Sequence, residues 1–199
     1  VTSKAVQDML NVRQPAFGFL TDKMAYSSGE TLPVSTEMIQ PQAEGEIAFL
    51  LKKDLNGPGL TNTDILAATE AIVPCFEVVD SRIKDWKIKI QDTVADNASC
   101  GLFVLGEAAV DPRKVDLCTC GMWVEKNGKL ISTGAGAAAL GSPVNAVTWL
   151  ANTLGALGTG LKAGEVILSG SLVPLEPVQA GDYMRLGIGG IGQCSVSFS

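Results

Sequence analysis

The 199-residue sequence contains no histidine. Without imidazole there is no Ser-His-Asp or Cys-His catalysis, no histidine-ligated zinc, copper or haem, and no general base whose ordinary pKa lies near neutrality. Basic residues are also scarce, with 15 Lys and Arg against 21 Asp and Glu and a formal net charge of -6. That balance argues against duplex nucleic acid and anionic membrane surfaces, both of which need a basic footprint. The chain has a mean hydropathy of +0.25, yet no apolar run approaches the roughly 20 residues that span a bilayer. Low-complexity linkers and internal repeats are absent too. The chemistry left open uses carboxylates, lysine, hydroxyls, backbone dipoles or a hard metal ion, and a small molecule or another protein is the expected partner.

What is present is apolar and finely punctuated. Hydrophobic residues make up 46% of the chain, and 22 Gly and 9 Pro cut it into short segments. The length predicts one domain with a substantial core. Five cysteines (Cys75, Cys100, Cys118, Cys120 and Cys194), an odd number in apolar contexts, predict reduced thiols in a cytosol. Strands are expected at 46–52, 75–80, 101–105, 120–132, 165–169, 183–188 and 193–198, with a hairpin turn at Asn127-Gly128. A short helix is expected over 65–72 behind the capping residues Thr61 to Asp64. The best helix starts at Ser142-Pro143, presents Val144, Val147, Trp149, Leu150 and Leu154, and stops at Gly155. Many short strands with few helices, not in strict alternation, predict an α+β or β-rich mixed fold.

Carboxylates dominate the candidate chemistry. Glu44-Gly45-Glu46 opens a strand, and strand alternation projects residues i and i+2 from one face, so both carboxylates enter the same space. Such a pair either flanks a cation or marks a solvated strand entrance. Glu77 lies within the apolar run Pro74-Cys75-Phe76-Glu77-Val78-Val79-Asp80 and needs a partner if buried. Three oxygen donors define a hard-cation site suited to magnesium, with manganese or calcium as alternatives. Asp80 competes as third ligand but faces opposite Glu77 in a regular strand.

Gln91 to Gly101 reads as a polar loop able to hold an oxyanion, or as a self-capped turn. Ser169-Gly170-Ser171-Leu172 ends a strand with small residues that let a ligand approach the backbone, although a plain turn fits equally. Gly187 to Gly192 matches a dinucleotide-binding glycine pattern, but only seven residues follow and no helix could start there. Cys118-Thr119-Cys120 is spaced too closely for the usual metal pairs and reads as strand packing.

Taken in order, Val1 to Gln7, Gln14-Pro15-Ala16-Phe17-Gly18, Glu44-Gly45-Glu46-Ile47-Ala48-Phe49, Pro74 to Arg82, Asp92 to Gly101 and Gly190-Ile191-Gly192 resemble the 2-oxopent-4-enoate hydratases. These belong to the hydratase/decarboxylase branch of the fumarylacetoacetate hydrolase superfamily and act in meta-cleavage degradation of aromatic compounds. The resemblance implies an α+β fold, a mixed β-sandwich or roll of the fumarylacetoacetate hydrolase C-terminal-domain type with a few short helices, assembled as a homo-oligomer. It implies hydration of 2-hydroxypenta-2,4-dienoate to 4-hydroxy-2-oxopentanoate, with 4-oxalocrotonate decarboxylation as the alternative. It further implies Glu44, Glu46 and Glu77 as ligands to Mg2+ or Mn2+, Ser99 as the catalytic hydroxyl, and Thr2, Ser3, Ser99, Ser171 and Leu172 as substrate-binding residues.

Two departures accompany the resemblance. The family's acid-base lysine falls just before Val1, and its acid-base aspartate is replaced by Ala16; Gln42 likewise stands where a basic residue is usual. The expectation is a single catalytic domain over 1–199 that lacks an N-terminal helical segment. A catalytically impaired member acting through association with the pathway decarboxylase or aldolase is a third reading, supported by Ala16.

Overall fold

The computed structural model describes residues 2, 3, 7, 8 and 14–199. Two mixed sheets face each other across one apolar core, as expected for the α+β reading. The first sheet orders its strands β1 (Ala25–Ser27), β5 (Cys100–Leu105), β4 (Thr69–Asp80), β3 (Pro41–Leu51) and β8 (Val166–Leu168), with β9 (Glu176–Pro177) also pairing with β3. The second runs β2 (Thr31–Leu32), β11 (Gly192–Phe198), β10 (Tyr183–Ile188), β6 (Gly121–Lys126) and β7 (Lys129–Ala135). β1 lies parallel to β5 and β2 parallel to β11, while the remaining pairs are antiparallel. The strands are punctuated by the helices α1 (Val34–Glu37), α2 (Asn62–Ala68), α3 (Ile90–Ala95) and α4 (Pro143–Ala156).

The long β3/β4 pair is the axis of the molecule, and alternation divides its side chains cleanly. Ala43, Ile47, Phe49 and Leu51 of β3, with Ile72, Phe76 and Val78 of β4, join Met122, Val124, Met184 and Leu186 of the second sheet in the main core. Gly45 belongs to this inward set, since a Cβ there would meet the Met122 sulfur at 2.6 Å. The opposite face therefore carries Glu44, Glu46 and Ala48 from β3 and Val73, Cys75, Glu77 and Val79 from β4.

The elements expected at 101–105, 165–169, 183–188 and 193–198 appear within a residue of those limits, and the hairpin turn forms with Asn127 and Gly128 at positive φ (52° and 77°), whereas the strand expected at 46–52 already starts at Pro41 and the hairpin's second strand runs on to Ala135. Four local expectations change. The helix after Thr61 ends at Ala68, and residues 69–72 are strand because they pair with β3 from Leu51 to Phe49; sheet partners outweigh the helical preference of Glu70-Ala71. Residues 91–95 of the expected polar loop belong to α3, capped at its start by the Asp92 carboxylate accepting the Lys89 N–H at 2.9 Å. Cys118 and Cys120 flank a turn, not a strand: Asp116 accepts the Cys118 N–H, Cys118 is exposed, and only Cys120 is buried. Finally α4 passes through Gly155, whose missing side chain admits the backbone of Gly57 where a Cβ would lie 2.1 Å from its carbonyl carbon. Gly187 to Gly192 forms the β10/β11 hairpin, with no helix after it.

Candidate active site

The antiparallel register sets Glu44 directly opposite Glu77 and Glu46 opposite Cys75. One carboxylate oxygen from each of Glu44, Glu46 and Glu77 lies within 4.8 Å of the others. All three are buried, Glu46 completely. Glu46 Oε2 accepts the Gly170 N–H at 2.7 Å, whereas Glu46 Oε1 and Glu44 Oε2 are buried without a hydrogen-bond partner. Burial, reinforced by the Glu77 carboxylate, pushes Glu44 up to about 8. Burial first, then Glu77 and Glu44, holds Glu46 well above the usual carboxylate range. Crowded carboxylates with unpartnered buried oxygens are the condition that a hard divalent cation relieves, by supplying positive charge and oxygen coordination together. The donor set fits such an ion.

Asp80 takes no part in the triad. Its carboxylate accepts the N–H groups of Ile39 (2.9 Å) and Gln40 (2.7 Å), fastening the turn that leads into β3. Beyond β8, the chain continues along β3: the Ser169 N–H donates to Ile47 O and the Leu172 N–H to Gly45 O. Between them Gly170 takes φ +90°, and a Cβ there would lie 1.7 Å from the Thr2 hydroxyl. Only glycine combines that backbone with so close a neighbour, and the combination turns the Gly170 N–H onto Glu46. The Thr2 hydroxyl itself donates to Ser169 O at 2.7 Å.

The glutamates open into a cavity of about 450 Å³. Thr2, Ala16, Ser99, Cys100, Ser169 and Gly170 contribute to its walls, and Phe17, Phe19 and Trp149 form an aromatic section. Thr2 and Ser99, two of the expected substrate-binding residues, line the cavity. Ser3 is buried in a bridge to Ala139, and Ser171 and Leu172 are buried outside the cavity wall, with the Ser171 hydroxyl bonded to Val173 O. Gln42 lines a separate shallow groove. Residues 1 and 4–6 of the first motif lie outside the described residues.

Ser99 is held in an unusual turn. Asn97, Ala98 and Ser99 all have positive φ, between 53° and 59°, a conformation costly for residues with a Cβ and sustained by surrounding bonds. The Ser99 hydroxyl donates to Asp96 Oδ2 (3.1 Å), which also accepts the Arg82 N–H (3.1 Å). The Arg82 guanidinium donates to Asp80 O (2.6 Å) and Cys100 O (3.3 Å). The Asn97 amide bonds both backbone groups of Phe19, accepting at 2.8 Å and donating at 2.9 Å. Replacing Asn97 with Asp removes that donor and sets a carboxylate against Phe19 O, and chemical denaturation is expected to show a loss of about 1 kcal/mol. The Gly170 donor, the Arg82 hub and the aromatic wall have no signal in the sequence, where Trp149 reads only as part of an apolar helix face.

Comparison with known proteins places this geometry in a family. Residues 2–198 match the family described as Fumarylacetoacetate (FAA) hydrolase C-terminal. A 2-hydroxypent-2,4-dienoate hydratase of Pseudomonas putida is 77% identical over 158 residues, covering 79% of this chain and 71% of that protein. A 2-hydroxyhexa-2,4-dienoate hydratase of Comamonas testosteroni is 62% identical over 200 residues, covering 100% of this chain and 76% of that protein. Among solved structures, 4-oxalocrotonate decarboxylase from Pseudomonas putida G7, complexed with magnesium and adipate, superimposes with a TM-score of 0.93 at 37% identity, covering 100% of this chain and 75% of that one. The same decarboxylase is also known complexed with calcium and acetate. The fold, the buried glutamate triad and these identities together establish that this chain belongs to the fumarylacetoacetate hydrolase family, among its dienoate hydratases.

Proposed function

We propose that the chain is a magnesium-dependent hydro-lyase that adds water to 2-hydroxypenta-2,4-dienoate, yielding 4-hydroxy-2-oxopentanoate in the meta-cleavage breakdown of aromatic compounds. The observation that carries this reading is the convergence of Glu44, Glu46 and Glu77 on one cavity with two buried oxygens unpartnered. A divalent cation held by these carboxylates would supply Lewis-acid polarisation of the substrate's 1-carboxylate and 2-oxo oxygens. The protein contributes orientation and proton handling. The Gly170 N–H fixes Glu46 through Oε2, and Oε1, buried without a hydrogen-bond partner, would be the oxygen that holds a cation. Ser99 lines the cavity with its hydroxyl bonded to Asp96, so Ser99 Oγ can accept a hydrogen bond from substrate or water while passing its own proton toward the Asp96 carboxylate. Ala16 presents only a methyl group on that wall, so proton transfer at carbon draws on no side chain at position 16.

The test is incubation of the magnesium-loaded protein with 2-hydroxypenta-2,4-dienoate and, separately, 4-oxalocrotonate. Loss of dienoate absorbance with formation of 4-hydroxy-2-oxopentanoate supports the proposal. Carbon dioxide release from 4-oxalocrotonate with an inert dienoate favours the decarboxylase, whose relative gives the 0.93 superposition. Ligand binding without turnover of either favours the impaired-member reading. Magnesium added to EDTA-treated protein at about 100 times its Kd is expected to stabilise the fold by about 2.7 kcal/mol, a rise in melting temperature of roughly 5–10 °C by differential scanning fluorimetry.

In this reading residues 1–199 act as one catalytic domain in a cytoplasmic homo-oligomer, with the pathway decarboxylase or aldolase as a further partner. The exposed Leu130 and Ile131 on edge strand β7 are compatible with subunit contacts. No helix among the described residues is long and apolar enough to cross a membrane.

A further inference from the structure

Ser99 lines the cavity, but its hydroxyl proton is committed elsewhere. That proton goes to Asp96 Oδ2 at 3.1 Å, and the Ser99 N–H donates to Asp96 O at 2.8 Å. Asp96 lies off the cavity wall with its side chain only 11% exposed, and Arg82 grips both of its carboxylate oxygens. The Arg82 backbone N–H donates to Oδ2 at 3.1 Å, and the guanidinium Nε lies 3.4 Å from Oδ1. The remaining arms of the same guanidinium donate to Asp80 O and Cys100 O, which ties the end of β4 to the first residue of β5. Positive φ at residues 97–99 folds Ser99 back onto Asp96. Gly18 packs against this turn so closely that a Cβ there would lie 2.3 Å from Asn97 O.

A hydroxyl has one proton to donate and two lone pairs to offer. With its proton held by a carboxylate, Ser99 Oγ meets the cavity as an acceptor, and a buried acceptor discriminates in favour of the ligand that completes its bonding. The hydration proposed above places such a donor in the cavity twice, first as the water that adds to the alkene and then as the 4-hydroxyl that this water becomes. We propose that Arg82 and Asp96 are positioning residues that hold Ser99 as an acceptor, and that they thereby set a preference for a ligand hydroxylated at C4 over its deoxy counterpart. Arginine suits the position because its planar fork fixes two carbonyls and a carboxylate together, whereas lysine brings a single point charge. The inference rests on the metal-centre and hydration reading given above.

Titration calorimetry of the magnesium-loaded protein with 2-oxopentanoate and 4-hydroxy-2-oxopentanoate tests it without requiring turnover. The hydroxy acid is expected to bind at least about threefold more tightly, the worth of one net hydrogen bond. Asp96→Ala frees the Ser99 proton to turn into the cavity, and is expected to bring the ratio of the two affinities below about twofold. Arg82→Lys keeps the positive charge at a side chain 48% exposed but loses the fork, so it tests the assignment even where Asp96→Ala fails to fold; the ratio is expected to fall by about half. A ratio near one in the unaltered protein, or a ratio unmoved in a folded Asp96→Ala protein, overturns the acceptor assignment. A ratio unmoved in Arg82→Lys overturns the role given to Arg82. Equal losses for both acids in the variants mean that the network only supports the fold, and overturn the positioning role too. Failure of both acids to bind in the presence of magnesium overturns the metal-centre reading and this inference with it.

Discussion

Replacing Glu46 with Gln is expected to weaken magnesium binding by at least about 100-fold, measured by calorimetry, and to abolish the magnesium-dependent rise in melting temperature. Glu46 is the fully buried member of the triad, and its free oxygen has no other partner. Glutamine retains an oxygen that can accept the Gly170 N–H, but it removes one negative charge and can place an amide nitrogen where the cation needs a donor. The same substitution is expected to leave the metal-free protein as stable as before or slightly more so, because it deletes one of three carboxylates crowded out of water. Loss of metal affinity with retained apo stability separates a ligand from a merely structural glutamate. Unchanged magnesium affinity in Glu46→Gln would sink the assignment.

The second large effect lies one residue from the site and on the other side of the sheet. Phe76 precedes Glu77 on β4, is completely buried, and faces the second sheet opposite Gly45. Its ring fills space that no side chain at position 45 occupies, so Phe76→Ala leaves a void between the sheets that neighbouring strands cannot easily close. Urea denaturation is expected to show a loss of about 3–5 kcal/mol, a large fraction of the stability of an ordinary domain. Because β4 carries Phe76 and Glu77 on opposite faces, a destabilised but folded fraction should still bind magnesium. A Phe76→Ala protein with an unchanged denaturation midpoint would contradict the packing described here.

The two substitutions mark what could be read from linear order. Alternation alone placed Glu44 with Glu46 and turned Asp80 away from Glu77, since side-chain direction in a strand repeats every two residues whatever the strand pairs with. The Asn127-Gly128 turn and the Thr61–Asp64 cap were legible for the same reason: their geometry is set by a few adjacent residues. The start of β4 was not, because Glu70-Ala71-Ile72 has helical composition and becomes strand only beside Leu50 and Phe49. In the sequence Gly155 reads as a helix stop, yet its meaning comes from Gly57, almost a hundred residues away. The Asp92–Gly101 stretch reads as chemically dense, but its fastening to Arg82 and Phe19 depends on contacts across the fold.

The sequence by itself determined the kind of chemistry available: no imidazole, a deficit of basic residues, and glutamates spaced for one face of a strand, with motifs in an order that resembles one family. Those properties are local or compositional, and folding cannot change them. Tertiary structure decided which carboxylates meet, because the β3/β4 register sets Glu77 opposite Glu44, and it decided that Gly170 turns its N–H onto Glu46 while Ser171 and Leu172 stay outside the cavity wall. It also gathered Phe17, Phe19 and Trp149 into one wall from segments some 130 residues apart. Strand register and long-range packing are set by how two sheets bury their apolar faces together, and that is a property of the whole chain.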